Sequence, residues 1–172
     1  SPLSDEEVQD QPLRVLPCSP DGLIARGIDQ LHLVYDLVVF HDGALVETVA
    51  IVHEAEGSAS GRITVCVSSQ IGCGMGCTFC ATGQQGFNRH LTSAELVEQV
   101  ARAKYAAQQQ GRRLSNVVVM GMGEPLANED ALWPAMTAVH DEFGLSARHL
   151  TVSTVGLVPG IRRLADRPLP VT

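Results

Sequence analysis

The first clear hydrophobic pattern predicts a β-hairpin. Residues 31–40 and 44–52 are both rich in β-branched and aromatic side chains, and Asp42-Gly43 between them is a typical tight turn. Residues 1–30 lack such a pattern, and their first part is polar and rich in proline. We therefore expect a linker or loosely ordered arm over residues 1–30 and a hairpin lead-in over residues 31–60.

From residue 61 onward, strand-like and helix-like segments alternate. The predicted strands are residues 62–67, 116–120, 149–153 and 169–172, and the predicted helices are residues 92–111, a segment with Pro134 in its first turn, and residues 158–165. Thr92 and Glu95 form a capping-box pattern at the start of the first helix. This alternation indicates an α/β fold with a parallel sheet or barrel. Because the chain stops partway into a strand, we expect a part of a larger enzyme.

Cysteine spacing is the strongest chemical signal. Cys73, Cys77 and Cys80 are spaced C-x3-C-x2-C among glycines, and thiolates are soft ligands for zinc or iron–sulfur clusters. A zinc site normally takes four protein ligands, so three thiolates favour a [4Fe-4S] cluster with one open iron. Two alternatives remain: a zinc loop completed by His90 or Cys66, and buried cysteines without a ligand.

Composition restricts the class of protein. With 45% hydrophobic and 18% charged residues the chain is globular, and no apolar run approaches the roughly 18 residues of a membrane span. Five cysteines, three of them in one loop, argue against a secreted disulfide framework. Since a thiolate-bound cluster also needs a reducing compartment, we expect a cytoplasmic protein.

The net charge of −7 is unevenly distributed. Ten of the twelve Lys and Arg residues lie within residues 61–172, whereas residues 1–60 hold eleven of the nineteen acids. A mildly basic half is compatible with RNA binding, but ordinary surface charge explains it equally well.

Several polar segments follow predicted strands. The cysteine loop, the turn at residues 121–125 and Ser153-Thr154 all fall at the carboxyl ends of predicted strands, and the carboxyl ends of parallel strands meet at one edge of a sheet. We therefore expect these segments to line one cavity. Glu47 interrupts the apolar second strand of the hairpin, so its carboxylate must face solvent or a polar cavity. From the residues alone, a solvent-facing position is the simpler interpretation.

Longer strings resemble a known family. They are CVSSQIGC at residues 66–73, CATGQQGFNR at 80–89, NVVVMGMGEPL at 116–126 and LTVSTVGLVP at 150–159. These strings are similar to the RlmN/Cfr family of radical S-adenosylmethionine (SAM) RNA adenine methyltransferases, and more similar to its RlmN branch. The resemblance covers about residues 44–172. It implies that residues 61–172 are the N-terminal half of a radical-SAM (β/α)6-type barrel, about its first three βα units.

The resemblance also implies cofactors and the residues that bind them. A [4Fe-4S] cluster would be held by Cys73, Cys77 and Cys80, and its open iron would chelate SAM. Gly123, Glu124 and Ser153 would contact SAM. The chemistry suits these residues, because glycine permits close backbone approach and a carboxylate can accept from the methionine ammonium group.

The reaction implied by the resemblance is methylation of adenine C2 in 23S ribosomal RNA and tRNA through a methyl-cysteine intermediate. Glu47 would accept the C2 proton and Cys66 would resolve a protein–RNA intermediate, whereas the methyl-carrying cysteine is expected beyond Thr172. A fragment ending there should be incomplete for turnover. We also expect a reducing electron-donor protein as partner, a monomer and no membrane association. The alternatives are a Cfr-like adenine C8 methyltransferase and an inactive iron–sulfur or RNA-binding fragment.

Overall fold

The computed structural model describes residues 33–53, 61–167 and 169. The strands are β1 (Leu33–Val39), β2 (Leu45–His53), β3 (Arg62–Cys66), β4 (Gln70–Gly72), β5 (Phe87–His90), β6 (Arg113–Val119) and β7 (Leu150–Val152). The α-helices are α1 (Ala81–Gln84), α2 (Ser93–Gln109), α3 (Glu129–Phe143) and α4 (Val158–Leu164), with short 3₁₀ turns at Pro125–Ala127 and Ala147–His149. The predicted arm at residues 1–30 and most of the predicted strand at 169–172 lie outside the described residues.

Five strands form one mixed sheet in the order β1-β2-β3-β6-β7. The β1–β2 and β2–β3 pairs are antiparallel, whereas β3, β6 and β7 are parallel. The predicted hairpin is therefore confirmed, and it extends the parallel sheet at one end. A helix follows each of the three parallel strands, as expected for a partial α/β barrel. The division at residue 61 into lead-in and half-barrel stays a prediction.

The hairpin turn forms where Asp42-Gly43 predicts it. Gly43 has a φ of 80°, which favours glycine. The Asp42 carboxylate accepts from the Ala44 backbone N–H at 3.0 Å, and the Phe40 N–H donates to the Ala44 carbonyl at 2.9 Å. These local bonds set the register that places Leu37 opposite Glu47.

The core lies between the sheet and helices α2 and α3. Alternate residues of the parallel strands point into it, and the apolar faces of the two helices cover them. Its fully buried members include Val65, Val117, Leu96, Val100, Leu132, Met136 and Val139. Within the described residues, no helix combines the length and the apolar character that crossing a membrane requires.

The starts of helices α2 and α3 show which helix boundaries can be predicted from local sequence signals. The capping box is confirmed: the Thr92 hydroxyl accepts from the Glu95 N–H, and the Glu95 carboxylate accepts from the Thr92 N–H at 2.8 Å. The prediction that Pro134 lies in the first turn is wrong, because α3 already begins at Glu129. The helix there follows directly from the 3₁₀ turn, and acidic residues in its first turn favour that earlier start.

Arg89 joins the hairpin to the start of α2. Its guanidinium donates to both carboxylate oxygens of Glu95, at 2.9 and 2.8 Å, and to Asp42 at 2.9 Å. It also lies 5.8 Å from the centre of the Phe40 ring. The bidentate geometry fixes β5, the hairpin turn and the helix start relative to one another.

This cluster predicts an acid-sensitive contribution to stability. Burial alone would raise the pKa of Glu95, but hydrogen bonds from Arg89 and Thr92 outweigh it and hold that pKa below its ordinary value of 4.5. The stabilisation is therefore complete above the unfolded value and is lost as pH falls through the lower folded value. We expect Glu95→Gln to cost about 2 kcal/mol at neutral pH.

Urea unfolding at neutral pH and at pH values below 4.5 measures the effect. The loss caused by Glu95→Gln should shrink progressively below pH 4.5 and disappear once the pH lies below the lowered folded pKa, where the wild-type carboxylate is protonated as well. Glu98→Gln is the matched control on the same helix, where a partly exposed pair with Arg102 contributes at most about 0.5 kcal/mol. Equal losses at both pH values for Glu95→Gln would contradict the prediction.

Candidate active site

The carboxyl ends of β3, β6 and β7 bring three loops together. Backbone N–H groups of Ser69 and Gln70 both donate to the Met122 carbonyl, at 2.7 and 3.2 Å, and the Gly121 N–H donates to the Val67 carbonyl at 3.0 Å. The Ser153 N–H donates to the last residue of β6 at 3.2 Å. The segment that leads into the cysteine loop, the 121–125 turn and Ser153 therefore lie at one edge of the sheet, and the expectation that they line one cavity stays a prediction.

Glycine is required where two of these loops cross. Gly123 has a φ of 99°, and a Cβ there would lie 2.6 Å from the Gln70 Cβ and 2.7 Å from the Ser69 hydroxyl oxygen. A Cβ at Gly121 would lie 2.7 Å from the Ser68 hydroxyl oxygen. Gly121 and Gly123 thus allow their turn to pack closely against the segment that leads into the cysteine loop.

Glu124 is 1% exposed and ties two loops together. One carboxylate oxygen accepts from the Leu126 N–H at 2.9 Å and the other from the Val155 N–H at 2.8 Å. Its own N–H donates to the Gln70 side-chain oxygen at 2.9 Å. The carboxylate retains lone pairs for a further donor, so the predicted contact with SAM stays a prediction beside this bridging role.

The cysteine loop lies between β4 and α1. Its backbone is held by the Cys73 N–H, which donates to the Gly86 carbonyl at 2.9 Å, and by a turn in which the Cys80 N–H donates to the Cys77 carbonyl at 3.1 Å. All three thiols are free and half-buried. Within the described residues, no group of three or more His, Cys, Asp or Glu is arranged so that it could hold a metal ion.

The fit of this loop to a cluster depends on its donors. Three free thiols on one partly exposed loop are soft ligands that leave a coordination position open. The zinc alternative needs a fourth ligand from His90 or Cys66. Neither residue belongs to the loop that carries the three thiols. Three soft donors in one loop, with one position left open, fit a [4Fe-4S] cluster.

Cys66 ends β3, opposite Val49 and Val118 of the neighbouring strands. Burial raises the pKa of its thiol above the ordinary value of 9.0, although the hydrogen bond from the Met120 N–H opposes that rise. The thiol is thus protonated at neutral pH. This differs from the partly ionised thiol that nucleophilic attack requires.

Glu47 is exposed, whereas its neighbours Val46 and Thr48 are buried. The alternation of a strand with one covered face explains this orientation. The antiparallel register that pairs Val49 with Cys66 continues to Ser68, whose hydroxyl donates to the Glu47 carbonyl at 2.7 Å. The exposed Glu47 side chain therefore lies at the same edge of the sheet as the cysteine loop.

Buried amides and hydroxyls beneath this edge were not predicted. Gln99 and Ser68 are fully buried, and Asn128, 6% exposed, donates to the carbonyls of Ser69 and Leu91 at 2.9 and 2.8 Å. One signal was present in the sequence. Gln99 lies on the same helical face as the apolar residues of α2, and a buried polar group there needs partners.

The comparisons agree with this geometry. The family model of the radical SAM superfamily matches residues 67–170. The chain belongs to the radical SAM superfamily. Members of this superfamily use a [4Fe-4S] cluster and SAM, which confirms the predicted cofactors. The solved structure of a radical SAM methyltransferase from Sphaerobacter thermophilus is 43% identical and superposes with a TM-score of 0.76 over 86% of this chain and 42% of that one.

Curated relatives show which members of the radical SAM superfamily this chain resembles. Proteins named "Probable dual-specificity RNA methyltransferase RlmN" are 51% identical in Corynebacterium diphtheriae, over 77% of this chain and 35% of the relative, and 56% identical in Frankia alni, over 76% and 32%. The relative of that name in Synechococcus elongatus is 42% identical over 94% of this chain and 44% of its own length. The chain thus spans less than half of these relatives.

Proposed function

We propose that this chain is part of a radical SAM methyltransferase that methylates C2 of adenine in 23S ribosomal RNA and tRNA. The observation that carries the proposal is the contact, at one edge of the parallel sheet, between the Gly121–Glu124 turn and the segment at Ser69 and Gln70 that leads into the three-thiol loop. Relatives of 42–56% identity that are named RNA methyltransferase RlmN support the substrate class. Residues 61–172 would be the N-terminal half of the barrel, with residues 31–60 as its lead-in.

The cofactors would be bound by this chain's own loops. Cys73, Cys77 and Cys80 would hold the cluster, which when bound supplies the electron for reductive cleavage of SAM. The turn at Gly123 and Glu124 would line the SAM site together with Ser153. The position of this turn is set by the absence of a side chain at Gly123 and by the two backbone N–H groups that donate to the Glu124 carboxylate.

Two further residues would act on the RNA base. Glu47 would accept the C2 proton, a role that its exposed carboxylate at the loop edge permits if the base comes within hydrogen-bond reach. Cys66 would resolve the protein–RNA intermediate. Because burial raises the pKa of this thiol, its proton would have to be taken by a base during attack.

The proposal includes partners and location. RNA substrates agree with the concentration of Lys and Arg in residues 61–172. The cluster requires a reducing electron-donor protein, and thiolate ligation favours the cytoplasm. We propose a monomeric enzyme.

Analysis of the RNA product tests the proposed function. The complete open reading frame that encodes this chain would be expressed anaerobically and incubated with SAM, a reductant and unmodified 23S rRNA or tRNA. We expect 2-methyladenosine and 5′-deoxyadenosine. Recovery of 8-methyladenosine alone would replace the C2 assignment with the Cfr-like alternative. An iron-loaded protein that yields no 5′-deoxyadenosine would instead be a binding module.

A further inference from the structure

The Ser68 hydroxyl connects two parts of the candidate site. It is fully buried, donates to the Glu47 carbonyl at 2.7 Å and accepts from the Met122 N–H at 2.9 Å. A serine hydroxyl has one proton to donate, and here that proton is used on the strand that carries Glu47. The hydroxyl thereby joins β2 to the turn after β6, beyond the last paired residues of β2 and β3.

Gln99 fixes the backbone of Ser68 on both sides. Its side-chain oxygen accepts from the Ser68 N–H at 2.8 Å, and its amide nitrogen donates to the Ser68 carbonyl at 3.0 Å. The same oxygen accepts from the Thr48 hydroxyl at 2.9 Å. Gln99 is itself fully buried, so a satisfied polar network holds Ser68 and Thr48 in one arrangement.

The turn after β6 is shaped to reach this hydroxyl. A Cβ at Gly121 would lie 2.7 Å from it, so only glycine lets the Met122 N–H approach. Glu47 has an exposed side chain, and core packing therefore does not fix the direction of its carboxylate. The backbone of residue 47, where Ser68 makes its contact, sets the Cα–Cβ direction from which that side chain extends.

We propose that Ser68 is a positioning residue, which holds the backbone of Glu47 against the Gly121–Glu124 turn and so directs the Glu47 carboxylate to the RNA base. This inference rests on the proposed function. Loss of the hydroxyl should leave cofactor cleavage in place but impair proton removal from the base. More 5′-deoxyadenosine should then form for each methyladenosine.

The ratio of 5′-deoxyadenosine to 2-methyladenosine is the test, measured with the complete open reading frame. Misfolded protein lowers both products equally, so a purely structural role does not change this ratio. We expect Ser68→Ala to raise it about fivefold, the factor that corresponds to one net buried hydrogen bond. Glu47→Gln should raise it at least as much.

Ser69→Ala is the matched control. Ser69 is an equally buried neighbour whose hydroxyl donates to the Met122 carbonyl at 3.3 Å and makes no other hydrogen bond within the described residues, and the ratio should stay at the wild-type value. If Ser68→Ala cannot be purified, Thr48→Val decides instead, because this nearly isosteric change removes the Thr48–Gln99 bond and should raise the ratio. A wild-type ratio in the folded Ser68 or Thr48 variant would overturn the inference. Wild-type protein that makes no 2-methyladenosine would overturn the proposed function and the inference with it.

Discussion

Replacing Cys77 with serine is expected to remove most of the iron from the protein and to abolish reductive cleavage of SAM. A serine hydroxyl is a hard, protonated donor that cannot replace a thiolate ligand at neutral pH. Changes to residues that merely support metal ligands already cost about 10–100-fold in affinity or activity. Loss of a ligand should therefore cost at least about a hundredfold. Iron content and the yield of 5′-deoxyadenosine measure the two effects.

Cys66→Ser is the matched control for this substitution. Cys66 is also free and half-buried, but it lies at the end of β3, outside the 73–80 loop. The variant should retain full iron content and cleave SAM, while formation of methyladenosine is lost. Wild-type iron content in Cys77→Ser, or loss of iron in Cys66→Ser, would contradict the assignment of the cluster ligands.

Gly123→Ala is expected to have the largest effect on stability. Its φ of 99° is rarely adopted by residues with a side chain, and the new methyl group would lie 2.6–2.7 Å from atoms of Gln70. Backbone strain and overpacking together should cost about 2–5 kcal/mol in free energy of unfolding. The crossing of the two loops would open, and SAM binding should weaken with it. Urea unfolding and SAM titration of the iron-loaded protein test both consequences.

Gly144→Ala is the control that separates backbone strain from steric crowding at Gly123. Gly144 ends α3 with a φ of 70°, and apart from its chain neighbours no atom of the described residues lies within 4 Å of the position that its Cβ would take. This variant should lose only about 1–2 kcal/mol, the cost of the backbone conformation. If both variants lose the same stability, close contact at Gly123 does not contribute.

The parts of the fold that follow from local signals were predictable. The Asp42-Gly43 turn and the Thr92 capping box each involve residues a few positions apart, and both formed as expected. The β4–β5 pair was not predicted. Its strands of three and four residues are too short to show alternation, and they pair across the cysteine loop, Gln70 with His90.

Some features of the candidate site were likewise predictable from the sequence, and others were not. Spacing of the cysteines and the order of polar segments after strands were visible in the sequence, because parallel strands place such segments at one edge. The network of Ser68, Gln99 and Thr48 was not, since its bonds join residues 31 and 51 positions apart. The raised pKa of Cys66 likewise depends on burial that only the assembled sheet creates.

Electron paramagnetic resonance of the reduced, iron-loaded protein before and after addition of SAM is the most direct test of the central claim. Three cysteine ligands leave one iron open, so the [4Fe-4S] signal should be present and its g values should shift when SAM binds that iron. A protein that takes up zinc in place of iron, or a cluster signal that SAM leaves unchanged, would contradict the claim.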